Sequence, residues 1–195
     1  MERIKKLLID TGRDGMTALT GYMQEYGFYR APCSTGHHLA KEGGLAEHSM
    51  NVLGAALALK KAWDASVSND SIVICSLLHD IGKMGQYNKP YYVPNILKGR
   101  ATKANPNPEP YQSDKKPYTS NTELLYIDHE CRALSIISKY IDLTEEEQQA
   151  ILWHNGLYGN FKYQIQGKET PLYMIIHFAD MWASRVIEGG EEDEI

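Results

Sequence analysis

The sequence predicts an all-α fold, a single-domain helical bundle interrupted by one long Pro/Tyr-rich loop. Three observations predict it. Apolar residues recur at three- and four-residue spacing in several separate segments. Helix-capping signals stand next to those segments. Six of the eight prolines are confined to residues 86–120, so the rest of the chain is nearly free of the residue that most disrupts helices. A length of 195 residues suits one domain, 1–195.

Taken in order, Leu45, His48, Val52, Ala55, Ala56, Leu59 and Trp63 form one helical face between Gly43 and Trp63. Asn69 or Asp70 caps a second helix, Ser71–Gly82. Its apolar run 72–78 would look the same in a buried strand, but the length and the terminal Gly82 select a helix. Residues 86–120 hold five of the thirteen tyrosines and six Lys/Arg against Glu109 and Asp114. Prolines at that density forbid regular helix or central strand, so the segment reads as a loop insertion. Asp128–Ile141 follows as a helix with Cys131, Leu134, Ile137 and Ile141 on its apolar face. Thr144-Glu145-Glu146-Glu147 is a capping box that opens a helix to about His154. Tyr158–Thr170, with Gly159 and Gly167, reads as a loop or short hairpin. Pro171 fits the first turn of a last helix running to about Ile187. The expectation is five or six helices, a helical core over about 36–187 and an acidic tail, 188–195.

Composition narrows the function classes. Hydrophobic residues make up 43% and charged residues 23%, as in soluble globular proteins. No apolar run approaches the ~18 residues of a membrane span, and the N-terminal apolar stretch is too short for a secretory signal. Three widely spaced cysteines (Cys33, Cys75 and Cys131) read as reduced core thiols of a cytoplasmic protein. The net charge of −5 is carried by five acids in the last eight residues, read as a solvated, frayed end. The body is neutral, unlike a nucleic-acid coat protein. No Gly-rich phosphate loop, Ser-His-Asp order or CxxC pair supports a kinase, serine hydrolase or zinc finger.

The histidines carry the chemistry. His48 sits on the apolar face of its helix, and His79-Asp80 follows an apolar run. His129 opens a helix and His154 closes one. Asp180 lies in an otherwise apolar helix. A lone helical histidine among apolar residues is more often a hydrogen-bonded core residue than a ligand, and a His-Asp dipeptide alone carries little information. Together the six are different, because a buried carboxylate without a partner is costly. One shared divalent site satisfies all of them, since imidazole and carboxylate ligate Zn, Mn, Fe, Ni or Co.

The strings Gly43-Gly44-Leu45-Ala46-Glu47-His48, His79-Asp80-Ile81-Gly82-Lys83 and His177-Phe178-Ala179-Asp180 resemble the HD superfamily of metal-dependent phosphohydrolases. The likeness runs from about residue 36 to 187. It implies an HD-type helical bundle in which His48, His79, Asp80 and Asp180 bind one metal. A second metal would then be held by His129 and His154, with Asp80 bridging. Some two-metal members carry a His-His pair where this chain has His154-Asn155. The implied cofactors are two divalent ions (Mn, Fe, Ni, Co, Zn or Mg), which would lower the pKa of a bound water and deliver hydroxide to phosphorus. Lys83, three residues after Asp80, would set a cation over the phosphate.

His38, or its neighbour His37, could line the substrate pocket. His177 could orient Asp180 or touch substrate, and Arg132 or Arg185 could pair with phosphate or with the acidic tail. The basic, tyrosine-rich insertion follows the doublet directly and could shield a phosphate or stack a base. The expected function is hydrolysis of a phosphate ester of a nucleotide or nucleotide-like substrate. Both a phosphomonoesterase and a phosphodiesterase fit, the latter including a 3′→5′ exonuclease with nucleic acid as substrate or a cyclic-nucleotide-type enzyme. A non-catalytic metal- and nucleotide-binding sensor module is the alternative from another class.

Overall fold

A computed structural model describes residues 1–103, 105–159 and 163–189 of the chain. Among these lie seven α-helices: α1 (Glu2–Asp10), α2 (Met16–Glu25), α3 (Gly44–Ala62), α4 (Asn69–Leu78), α5 (His129–Ile137), α6 (Glu145–Trp153) and α7 (Pro171–Trp182). The apolar stripe predicted for α3 is buried at Leu45, Val52 and Ala56, and it packs against α4 and α7. α4 is buried on nearly every side (Ile72, Ile74, Cys75, Leu77, Leu78), which explains why its sequence shows no period. Helices α1 and α2 were not foreseen. Their Ile4, Leu8, Met16, Leu19 and Met23 join the same core, which therefore extends beyond 36–187.

The start of α4 is capped by neither Asn69 nor Asp70. The Ser68 hydroxyl accepts from the amides of Asp70 (3.2 Å) and Ser71 (3.5 Å). The helix also stops at Leu78 rather than Gly82, and the chain tightens into a 3₁₀ turn over Ile81–Met84. There Gly82 crosses the first turn of α5 so closely that a Cβ would stand 2.1 Å from the carbonyl oxygen of His129. This crossing brings the His-Asp doublet and His129 together.

α5 ends at Ile137 rather than Ile141, and its buried face is Arg132, Ala133, Ile136 and Ile137. Cys131, expected in the core, is exposed, whereas Cys33 and Cys75 are buried free thiols. The reason is Arg132. Its guanidinium donates to Gln86 Oε1 and to the carbonyl of Leu125, both at 3.1 Å, and lies 5.9 Å above the Tyr91 ring. A residue considered for phosphate binding is thus a buried clamp between α5 and the insertion.

The capping box of α6 forms as expected. Thr144 Oγ1 accepts from the Glu147 amide, and Glu147 Oε2 accepts from the Thr144 amide. Glu147 also takes both Arg13 guanidinium nitrogens, at 2.8 and 2.9 Å, tying the chain ahead of α2 to α6. α7 begins with Pro171 behind a Thr170 cap and continues as a π-helical turn, Ala183–Ile187.

The insertion is not an irregular loop. β1 (Tyr92–Pro94) pairs antiparallel with β4 (Tyr118–Ser120), and β2 (Ile96–Leu97) with β3 (Tyr111–Gln112). In a two-stranded pairing every strand is an edge, so Pro94 removes no obligatory ladder bond. In the stretch expected as a loop or short hairpin, residues 160–162 lie outside the described part, as do 190–195 of the acidic tail. Among the described residues no helix is long and apolar enough to cross a membrane.

Gly82→Ala is expected to destabilise the protein by about 1–3 kcal/mol, the usual cost of overpacking. It is also expected to displace His129, read as a lower thermal midpoint together with weakened metal uptake.

Candidate metal centre

Four helices and the turn after α4 aim six side chains at one point. α3 supplies His48 and the end of α4 supplies His79, with Asp80 next to it. α5 supplies His129 from its first position, the end of α6 supplies His154, and α7 supplies Asp180. His48, His79, Asp80 and His154 are at most 1% exposed. His129 and Asp180 keep 18% and 17% of their side chains open, so the cluster is not sealed from solvent.

The carboxylate of Asp80 divides the cluster in two. Its Oδ2 lies 3.6 Å from His48 Nε2 and 3.5 Å from His79 Nε2. His48 Nε2 is in turn 3.1 Å from Asp180 Oδ1. On the other side, Asp80 Oδ1 lies 3.1 Å from His129 Nε2 and 3.4 Å from His154 Nε2. Each oxygen therefore faces its own pair of imidazoles. Oδ1 is buried without a hydrogen bond of good geometry, the kind of orphaned acceptor that a cation would satisfy.

The other ring nitrogens show which atoms are offered inward. His79 Nδ1 is 3.0 Å from the carbonyl of Ser76, and His154 Nδ1 is 2.7 Å from the carbonyl of Ile151. A carbonyl only accepts, so both Nδ1 atoms carry hydrogen, and a neutral ring then presents a bare Nε2 lone pair. His79 Nε2 stands 3.3 Å from His48 Nε2, and His154 Nε2 stands 3.4 Å from His129 Nε2. Nitrogens paired at that distance need a proton or a metal ion between them. Backbone or carboxylate support behind the ring is also how metal-binding histidines are usually oriented.

Burial and neighbouring charges act against each other at His48, His79, Asp80, Lys83 and His154. Burial pushes His79 down to about 3, so it is neutral. Burial also opposes charge on His48 and His154. Cys33, Asp180 and Glu188 nevertheless raise His48 well above its ordinary value, and Asp80 raises His154. Burial works against the Asp80 anion, yet Lys83 and the surrounding histidines hold it well below the carboxylate range. Lys83 Nζ donates to Asp80 Oδ2 at 2.6 Å, and this pairing keeps the ammonium charged despite its own burial.

Some contributors were not foreseen. Glu188, taken for part of a frayed tail, has a side chain 1% exposed. Both of its oxygens lie 3.0 Å from His48 Nδ1, and one accepts from Asn51 Nδ2. No local signal in the sequence marks it, because its partner lies 140 positions earlier. Glu130 lies 3.3 Å from His129 Nδ1 and, with His129 and His154, makes a further potential ligand group. Asn155, at the position where the resembled family can carry histidine, donates to Glu130 and lies 3.4 Å from both His129 Nε2 and His154 Nε2. Cys33 reaches Asp80 Oδ2 from the loop before α3 with its sulfur 4.0 Å away. Its type and position gave no sequence signal.

His38 packs 5.2 Å from the His48 ring. Burial, with help from His48 and Lys83, lowers it to about 4, and its Nε2 is buried without a partner. His177 does not hold Asp180. Its Nδ1 bonds the carbonyl of His154 at 2.7 Å, and its ring stacks on Tyr173. The chain after α6 passes so close that a Cβ on Gly156, at φ +51°, would sit 2.4 Å from the ring. His37, His38, His177, Asp180 and Arg185 line a recess of about 230 Å³ that Lys83 and His154 also reach. Arg185 there lies over the Tyr158 ring, 5.7 Å away, and pairs with no described acid of the tail.

The buried His/Asp groups could hold a metal ion. Compared with family models, with curated proteins and with solved structures, the chain has no significant match.

Asp80→Ala is expected to lower metal uptake more than Asp180→Ala does, because Asp80 adjoins all four imidazoles and Asp180 pairs only with His48. Metal content after dialysis against Mn²⁺ separates the two cases. Because neighbouring acids raise the pKa values of His48 and His154, metal binding is expected to release protons. Affinity then falls as pH drops below their raised pKa values. Calorimetry in two buffers of different ionisation enthalpy measures that release.

Proposed function

We propose that the chain is an HD-type, metal-dependent phosphohydrolase acting on a phosphate ester of a nucleotide or nucleotide-like substrate. The observation that carries this reading is Asp80, whose two oxygens each face a pair of imidazole Nε2 atoms. His48, His79 and Asp180 would hold one divalent ion with Asp80, and His129 and His154 the other. When bound, such ions supply Lewis acidity and neutralise charge on phosphoryl oxygens.

The chain's own residues define where the phosphate sits. Lys83 reaches the recess that exposes His154 and Asp180, and its ammonium is fixed by Asp80 at 2.6 Å. From there it can bind a phosphoryl oxygen or the leaving oxygen. Arg185, over the Tyr158 ring, offers a second cation in the lining of the same recess. His38, neutral because it is buried beside His48 and Lys83, offers an unused Nε2 for a hydrogen bond to the ester. His177 braces the backbone of His154 and so keeps that ring in place. A buried ligand set that is not sealed from solvent admits the phosphate while limiting bulk water.

Protein loaded with Mn²⁺, Ni²⁺ or Mg²⁺ is expected to hydrolyse p-nitrophenyl phosphate or bis-p-nitrophenyl phosphate. Lys83→Ala is expected to lower kcat by about 10²–10³-fold, as loss of one charge-stabilising donor does. Full metal content without hydrolysis of either ester, alongside tight nucleotide binding, would favour the sensor module instead.

A further inference from the structure

Lys83 has a second neighbour. On the other side of its side chain lies a cavity of about 590 Å³, larger than the 230 Å³ recess that exposes the ligands. Lys83 is the one described residue that lines both. Small-molecule sites usually occupy roughly 300–1,000 Å³, so the recess alone is small for a nucleotide and the second cavity is ample.

The walls of the larger cavity have a definite chemistry. The insertion supplies Tyr91, Tyr92 and Tyr118, and the end of α2 supplies Tyr26, and the charged lining is Arg30, Lys83 and Lys89 against Glu25 and Glu42. Tyr92 and Tyr118 lie on β1 and β4, which pair with each other, so the ladder sets their positions independently of any ligand. Tyr91 is fixed by the Arg132 guanidinium behind it and the edge of Tyr92 beside it, ring centroids 4.9 Å apart. Aromatic rings with basic side chains around them are the usual platform for a base and its backbone phosphate. Burial pushes the Tyr92 phenol up to about 12; nearby Lys83 lowers it and Asp80 raises it, each by less than burial does.

We infer that this cavity is a subsite for a second nucleoside, so that the substrate is a phosphodiester with one esterified group on each side of Lys83. A mononucleotide centred on Lys83 has a single nucleoside and leaves one of the two spaces without one. A diester spans both, with its phosphate held between them at Lys83. The inference rests on the phosphohydrolase reading of the metal centre and names its substrate class as a dinucleotide or an oligonucleotide end.

The test compares two uncleavable ligands of equal charge on the Mn²⁺-loaded protein. One is a dinucleotide with methylene groups in place of the scissile ester oxygens, and the other is the corresponding mononucleotide methylphosphinate, with carbon at both of the same positions. Calorimetry should show the dinucleotide binding more tightly by about 10-fold, the scale of one base stacked on an aromatic ring. Tyr118→Ala should remove that advantage and Tyr118→Phe should keep it. Arg30→Ala, at an exposed position, should reduce it without a packing defect. Equal affinity for the two ligands overturns the inference, as does an advantage that survives both Tyr118→Ala and Arg30→Ala. Hydrolysis of the nitrophenyl esters reads the metal centre separately. If they are cleaved while the two ligands bind alike, the subsite is wrong and the phosphohydrolase reading stands. If the dinucleotide binds preferentially while no ester is cleaved, the reverse holds.

Discussion

Removing a carboxylate from water costs more than any single hydrogen bond returns, and Asp80 is 1% exposed. The surrounding structure offsets that cost from three directions. Two imidazoles approach each oxygen, and the Lys83 ammonium meets Oδ2. Around that carboxylate the helices converge: α3, α5, α6 and α7 each contribute a ring or an acid, and each ring is held from behind by a carbonyl or a carboxylate. Six polar groups at the middle of an apolar bundle weaken it as a purely hydrophobic object. They make chemical sense as a ligand set whose charges a cation completes.

The same constraint explains local features that otherwise look irregular. α4 ends before the doublet so that Asp80 can point across the bundle, and the 3₁₀ turn that follows returns Lys83 to the same oxygen. Gly82 permits the contact with the start of α5, and Gly156 permits the chain after α6 to close over His177. Glu188 comes back from the π-helical end of α7 to reach His48. These are short-range departures from regular structure, and each adjusts the aim of a ligand or of its support.

Much of this was legible in the sequence, for identifiable reasons. Helices α3, α6 and α7 announce themselves by apolar period and by the Thr144 and Pro171 signals. The six ligand candidates stand out because they are polar residues in apolar surroundings. Other features were not legible because they depend on partners far along the chain. Arg132 reads as an exposed cation until Gln86, Leu125 and Tyr91 enclose it, and that enclosure turns Cys131 outward. Glu188 reads as tail because nothing nearby marks it as the partner of a histidine 140 positions earlier. Helix α2 is short and packing against the core defines it more than local pattern does, whereas α1 carries a helical signal in the spacing of Ile4, Leu7 and Leu8 that its nine residues leave marginal in isolation. The insertion's prolines exclude helix, but they do not forbid two-stranded ladders.

The central claim is that Asp80 bridges two cations. Crystals grown with Mn²⁺ and measured for anomalous scattering test it most directly. The account predicts two peaks flanking the Asp80 carboxylate, one beside His48, His79 and Asp180 and the other beside His129 and His154. A fully loaded crystal with no peak between these side chains, Asp80 still paired only with Lys83 and its neighbouring histidines, would contradict it.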